Sequence, residues 1–122
     1  MPRFVILLHE TPPGYPRPAH LDLMLEHEGL LRTWALEKPP LPGEIVVAER
    51  LPDHRLAYLD YEGAVLQDRG IVSRVDSGHY ETIEENAASL IVRLHGSKIH
   101  GALSLTSEDA DHHRWRVSLS VG

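Results

Sequence analysis

His20 and Asp22 stand two residues apart in a segment that alternates, His20-Leu21-Asp22-Leu23-Met24-Leu25-Glu26. In an extended chain residues i and i+2 project from the same face, roughly 6.6 Å apart. An imidazole and a carboxylate on one face can converge on a divalent cation. On an ordinary solvated strand face the same pair would only meet water. The opposite face is Leu21, Leu23 and Leu25, which would hold the strand rigidly on a core. His9 ends the apolar run Phe4 to Leu8, just before a proline-rich loop. A strand end places a ligand stiffly, although a surface histidine fits the position too. A second pair lies in Pro52-Asp53-His54-Arg55-Leu56-Ala57-Tyr58. If that stretch is extended, His54, Leu56 and Tyr58 share a face. A histidine and a tyrosine together polarise or protonate an oxygen anion. The alternative is a partly buried tyrosine with a surface histidine nearby.

Nine histidines in 122 residues is the compositional oddity, and it points toward metal or acid/base chemistry. His95, His100, His112 and His113 lie beside Gly or Asp and read as solvated turn residues. His27 and His79 also fall at turns. There are no cysteines, which excludes disulfides, zinc–thiolate sites, iron–sulfur clusters and cysteine nucleophiles. No glycine-rich phosphate cradle is present, and Ser77 and Ser97 lack a nucleophile-elbow context. The formal charge is −6, with the acidic excess spread over both halves of the chain. A tight, sequence-blind grip on nucleic acid needs clustered cations, so charge alone argues against one. Recognition of a single phosphate stays open, because all basic residues but Lys38 and Lys98 are arginines, the better fork for phosphate oxygens.

The elements that must position these residues are short strands. Phe4 to Leu8 reads as a buried strand, His20 to Glu26 as a half-buried one, and Leu30 to Leu36 as its hairpin return after Glu28-Gly29. Thr11 to Pro18 holds four prolines and a glycine and must be a loop. Glu44 to Leu51 reads as a strand, and Val65 with Ile71 to Val75 as strands around a turn at Gln67 to Gly70. Thr82-Ile83-Glu84-Glu85 fits a capping box, predicting a short helix near residues 83–89. Ser89 to Leu94 and Ile99 to Leu105 flank His95-Gly96-Ser97 as a hairpin, and Trp115 to Val121 is a last strand. The fold class expected is mostly β: a small antiparallel β-barrel with one short helix, residues 1–122 forming one domain. No apolar run reaches the ~20 residues of a membrane helix, and no signal peptide is legible. A cytoplasmic location is expected.

In order along the chain, these residues resemble the 3′-phosphoesterase domain of bacterial DNA ligase D. Phe4-Val5-Ile6 through His9 resembles the family's opening strand and first metal histidine. His20-Leu21-Asp22-Leu23-Met24-Leu25-Glu26 resembles its H-Y-D-F-R-L-E segment. Gly29-Leu30-Leu31-Arg32-Thr33-Trp34-Ala35 is similar to G-V-L-K-S-W-A, with Lys38 near the lysine that follows. Asp53-His54-Arg55-Leu56-Ala57-Tyr58 is similar to D-H-P-L-D-Y, and Asp60-Tyr61-Glu62-Gly63 to D-F-E-G. Arg93-Leu94-His95-Gly96-Ser97-Lys98-Ile99-His100-Gly101 resembles R-L-H-G-E-K-L-R-G, and Trp115 matches a last-strand tryptophan.

The resemblance implies a compact β-barrel that removes a 3′-phosphate or a 3′-terminal ribonucleoside from DNA, leaving a ligatable hydroxyl. It implies metal ligation by His9, His20 and Asp22, with manganese or another divalent cation such as zinc or cobalt. It implies phosphate contact and catalysis by His54 and Tyr58, with Lys38 and Arg50 as candidates for added positive charge. The partners it implies are DNA 3′ ends, at a primer-template or RNA–DNA junction, and a separately encoded ligase or polymerase. Three departures stand out. Met24 replaces an arginine two residues after the metal aspartate, and methionine cannot neutralise a phosphate. A second family arginine falls in register with Val46, although Arg50 shares its parity and would reach the same face of a regular strand. The stretch after Gly63 is shortened to Ala64 to Gly70. Two other functions compete: a catalytically degenerate module that binds metal and DNA ends, and a non-haem metal oxygenase, since HxD with a distant histidine also resembles a facial triad.

Overall fold

In the computed structural model, which describes residues 1–121, Phe4, Val5, Ile6 and Leu7 are all fully buried. Their strand, β1 (Arg3–Glu10), is covered on both faces, and this is why its sequence is a continuous apolar run rather than an alternation. Phe4 and Ile6 point into the main core. Val5 and Leu7 point the other way, into a second cluster with Met24, Leu31, Leu59 and Val72.

β1 is followed by β2 (His20–His27), β3 (Leu30–Leu36) and β4 (Ile45–His54), then a 3₁₀ turn at Leu56–Leu59 and the two-residue β5 (Gly63–Ala64). The rest is β6 (Ile71–Asn86), β7 (Ser89–Gly96), β8 (His100–Ser107) and β9 (Arg114–Ser120). Hydrogen-bonded neighbours run β1-β2-β3-β4-β9-β8-β7-β6, and β6 pairs back onto β1. Eight antiparallel strands therefore close into a ring-like sheet, as the spacing of short strands and turn signals predicts. Closure leaves few open edges for another chain to pair with. β6, at 16 residues, is long enough to pair with β1 along one edge while β5 and β7 share the other.

The interior is filled by Leu21, Leu23 and Leu25 from β2, by Val92 and Leu94 from β7, and by Leu103 and Leu105 from β8. Trp34 and Trp115 meet edge to face, with ring centroids 5.7 Å apart. Each fully buried side chain of this kind contributes about 1.5–3 kcal/mol relative to exposure. The alternation of β2 thus has its expected meaning: leucines inside, and His20, Asp22 and Met24 on the outer face.

The expected helix near residues 83–89 does not form. Glu84, Glu85 and Asn86 pair with Ile91, Leu90 and Ser89, so β6 continues to the hairpin tip. A bulge between Thr82 and Glu84 leaves Ile83 half exposed. Asn86 Oδ1 accepts the backbone N–H groups of Ala88 and Ser89, an Asx turn that reverses the chain where a helix was expected to run. Glu85 is spent on Arg32, 2.9 Å away on β3. Pairing along the hairpin outweighs a four-residue local signal. Among the described residues no helix is long and apolar enough to cross a membrane.

Candidate metal centre

The outer face of β1, β2 and β3 is roofed by the 3₁₀ turn, β5 and the loop before β2. Antiparallel pairing sets His9 directly opposite His20, and Leu7 opposite Asp22. The two imidazole centroids are 4.9 Å apart. His9 Nδ1 is 3.6 Å from Asp22 Oδ2, and His20 Nε2 is 3.0 Å from Asp22 Oδ1. One ligand atom from each of the three residues lies within 4.8 Å of the others. His20 is 6% exposed and Asp22 3%, so this is a buried cluster rather than a solvated strand face.

Each histidine around this site spends one ring nitrogen on a backbone carbonyl. His9 donates from Nε2 to Arg69 at 2.6 Å, His20 from Nδ1 to Pro18 at 2.9 Å, and His54 from Nδ1 to Pro52 at 2.9 Å. Such bonds fix tautomer and ring orientation in metal-ligating histidines. They leave Nδ1 of His9 and Nε2 of His20 as lone pairs turned toward Asp22. Asp22 Oδ1 is buried and accepts no hydrogen bond. It faces the His20 Nε2 lone pair at 3.0 Å, two acceptors with no proton to share. A buried unpaired acceptor is costly, and a cation between these atoms would satisfy both. The residues therefore fit a divalent metal: two imidazoles and a carboxylate, a mixed donor set that leaves coordination positions open.

Without a cation the same cluster attracts a proton in its place, with an imidazolium then donating to Asp22. Burial by itself pushes the Asp22 carboxyl up, but His20 and His9 beside it more than offset that and hold it below the ordinary carboxylate range. The Asp22 carboxylate in turn raises His9 above the usual imidazole value, against its partial burial.

These ligand atoms open into a cavity of about 120 Å³ that also takes in His54 and Tyr58. That is room for a hydrated cation or a phosphoryl group. His54 ends β4 and Tyr58 rides on the 3₁₀ turn, their rings 5.7 Å apart. The turn is tied to β1 by Arg3, which donates to Asp60 at 2.7 Å.

Arg50 and Lys38 are not brought to this cavity. β3 and β4 slip register between Leu31–His54 and Thr33–Leu51, a bulge at Pro52-Asp53 that puts Leu51 and His54 on one face. Arg50 then falls on the other face, its guanidinium 4.7 Å over the Trp34 ring and bonded to the Thr33 carbonyl and Asp53. Val46, at the other register considered, is wholly inside the core. Lys38 is exposed and pairs with Glu44 at 3.0 Å. Met24 forms part of the cavity wall, almost fully buried and uncharged. The residues that sequence reasoning missed are Tyr15, Arg17 and Arg69, which come from two loops. Arg17 is paired with Glu49. A larger groove of about 530 Å³ adjoins the cavity through Arg17 and His20 and carries Glu37, Glu49 and Asp109 along its walls.

Residues 14–107 match the DNA ligase D 3′-phosphoesterase domain family. The chain is 34% identical to the multifunctional non-homologous end joining protein LigD of Mycobacterium bovis, over 92% of its own length and 15% of that protein. It is 31% identical to the corresponding LigD of Mycolicibacterium smegmatis, over 84% of this chain and 15% of the relative. With LigD of Pseudomonas aeruginosa it shares 33% identity over 67% of this chain and 11% of the relative. The chain thus spans about 15% or less of the length of these relatives.

Proposed function

The chain belongs to the DNA ligase D 3′-phosphoesterase domain family, and on that premise we propose that it is a metal-dependent phosphoesterase that trims DNA 3′ ends during end joining. Hydrolysis that releases a 3′-terminal ribonucleoside leaves a 3′-phosphate, and hydrolysis of that phosphate leaves the hydroxyl a ligase needs. The observation that carries this is the convergence of His9, His20 and Asp22 on one buried point beside His54 and Tyr58.

His9 Nδ1, His20 Nε2 and an Asp22 oxygen would hold the cation; the family resemblance makes manganese the first choice, and zinc or cobalt is compatible with the same donors. When bound, a divalent cation supplies Lewis-acid charge at a phosphoryl oxygen. The chain's own groups do the rest. His54, its Nδ1–H committed to Pro52, has Nε2 left for the substrate and in its cationic form donates to a phosphoryl or leaving oxygen. The Tyr58 hydroxyl donates to the same group. The roof formed by the 3₁₀ turn and the apolar wall of Leu51, Val65 and Val72 keeps water from the flank of the site.

Met24 favours a second reading, a module that holds DNA ends without cleaving them, because the wall it forms offers no charge. One assay separates the two. A primer-template carrying a 3′-phosphate or a single 3′-ribonucleotide is incubated with manganese, and release is followed on a gel. Release by the wild type, abolished in His20→Ala and in Asp22→Ala, is the expected result. Full activity in both variants would remove the metal assignment. Binding of the end by the wild type without any release would favour the binding module.

A further inference from the structure

Arg69 sits in a turn built under constraint. Residues 65–70 join β5 to β6, and Gln67 and Asp68 both adopt left-handed backbone, with φ of 63° and 53°. Two successive left-handed residues form the tight turn that matches strand twist. Val65 N–H donates to the Gly70 carbonyl at 2.8 Å and closes it. Gly70 has φ +100°, and a Cβ there would stand 2.0 Å from the Glu10 carbonyl oxygen. The turn is therefore pressed against the end of β1, beside His9. Non-glycine residues held in the left-handed region cost free energy and cluster at functional sites.

This placement brings Arg69 to the rim of the cavity. Its carbonyl accepts the His9 Nε2–H, and Arg69 is one of the residues that line the cavity, its side chain exposed to solvent. Arg69 Nε donates to the Leu66 carbonyl at 2.9 Å, which fixes the root of the guanidinium. Its terminal nitrogens pair with no carboxylate among the described residues. Arg17, the other arginine on this wall, is committed to Glu49.

We propose that Arg69 is the phosphate-holding cation of this site, its free guanidinium edge gripping two oxygens of the terminal phosphoryl group opposite the metal ligands. This deepens the 3′-end function proposed above and rests on it. A planar fork suits two phosphoryl oxygens better than the point charge of a lysine. The turn that carries the fork also orients His9, so one short segment supports a metal ligand and presents the anion clamp.

The test measures binding, so it does not depend on turnover. Affinity for two oligonucleotides, one ending in a 3′-phosphate and one in a 3′-hydroxyl, is compared in the manganese-loaded wild type, Arg69→Gln and Arg69→Lys. In Arg69→Gln the preference for the phosphorylated end falls about ten- to hundred-fold, the value of a charge-assisted contact. Arg69→Lys retains part of it. The slope of log affinity against log salt for the phosphorylated strand falls by roughly 0.7 in Arg69→Gln. Manganese affinity, measured calorimetrically, does not fall, because the contact to His9 is a backbone carbonyl. An unchanged preference in Arg69→Gln overturns the assignment and leaves the 3′-end function standing. A wild type that does not prefer the phosphorylated end overturns both. A wild type that prefers it but never hydrolyses it overturns the hydrolytic function alone, and Arg69 is still judged by the binding comparison.

Discussion

The side chain of His9 ends on the backbone of Arg69: its Nε2–H donates to the Arg69 carbonyl at 2.6 Å, across 60 residues of sequence. That bond joins the end of the first strand to the β5–β6 turn. It decides which ring nitrogen of His9 is left for a metal. The corresponding bond of His20, to Pro18, is local, so the two ligands are oriented by different kinds of structure. One depends on a neighbouring proline loop, the other on a turn delivered by the fold.

Gly70 is what lets that turn approach. Substitution by alanine would force a left-handed backbone on a residue with a Cβ and drive that Cβ into the Glu10 carbonyl, 2.0 Å away. A loss of about 2 kcal/mol or more is expected from strain of this kind. Displacement of the Arg69 carbonyl should also weaken manganese binding about ten-fold, the usual effect of losing the group that orients a metal-ligating histidine. Urea denaturation and calorimetric titration of Gly70→Ala measure the two effects. Manganese affinity at the wild-type level would show that His9 needs no orientation from the turn.

Met24 and Arg69 line the same cavity, so a cation placed at either position is interchangeable in principle. Met24→Arg by itself should destabilise the protein, because Met24 packs among Val5, Leu7, Leu31 and Val72 and is 1% exposed. It should add little to phosphate affinity while Arg69 is present. In the Arg69→Gln background the same change should recover most of the lost preference for a 3′-phosphate. A double-mutant cycle with a coupling of about 1 kcal/mol or more carries that expectation. Additive effects would mean that the two side chains do not address one anion.

Much of this was legible because strands announce their faces. His20, Asp22 and the three leucines between and after them alternate, and the structure keeps that alternation. His9 was legible as a strand end. The failures share a cause. A bulge at Pro52-Asp53 breaks parity, so Arg50, in phase with His54 by counting, falls on the opposite face. The segment Thr82 to Asn86 carries helix-start residues, but strand pairing with Leu90 and Ile91 decides its state. Arg69 shows no motif at all, and its place is set by a turn packing against a strand 60 residues earlier. Alternation is local information, whereas bulges, pairing partners and turn docking depend on the rest of the chain.

Asp76 provides a contrast, a buried carboxylate that serves the scaffold. It is 3% exposed and accepts backbone N–H groups from Ser77, Ser97, Lys98 and Ile99 at 2.8–3.2 Å. These bonds fasten the β7–β8 turn to β6. Asp76→Ala leaves those donors without their acceptor and should cost about 3 kcal/mol. Urea denaturation measures the loss, and manganese affinity of the folded variant should be that of the wild type. A parallel fall in metal affinity would place Asp76 in the working site instead.

Tyr80 gives the protein an alkaline limit. Its ring is 2% exposed in the main core, and its hydroxyl donates to the Glu26 carbonyl at 2.6 Å. Burial pushes the phenol above its ordinary value, more than the nearby Arg32 guanidinium lowers it. A phenol with a raised folded value is held protonated by the fold. Its contribution to stability is therefore complete below about pH 10, the unfolded value, and is lost as pH rises through the folded one. Absorbance at 295 nm during alkaline titration should show one of the four tyrosines ionising late, together with unfolding. Tyr80→Phe should remove that late component while costing about 1 kcal/mol at neutral pH, since the Glu26 carbonyl loses its donor. Persistence of the late component in Tyr80→Phe would assign it to another tyrosine and leave the core hydroxyl without a role in alkaline unfolding.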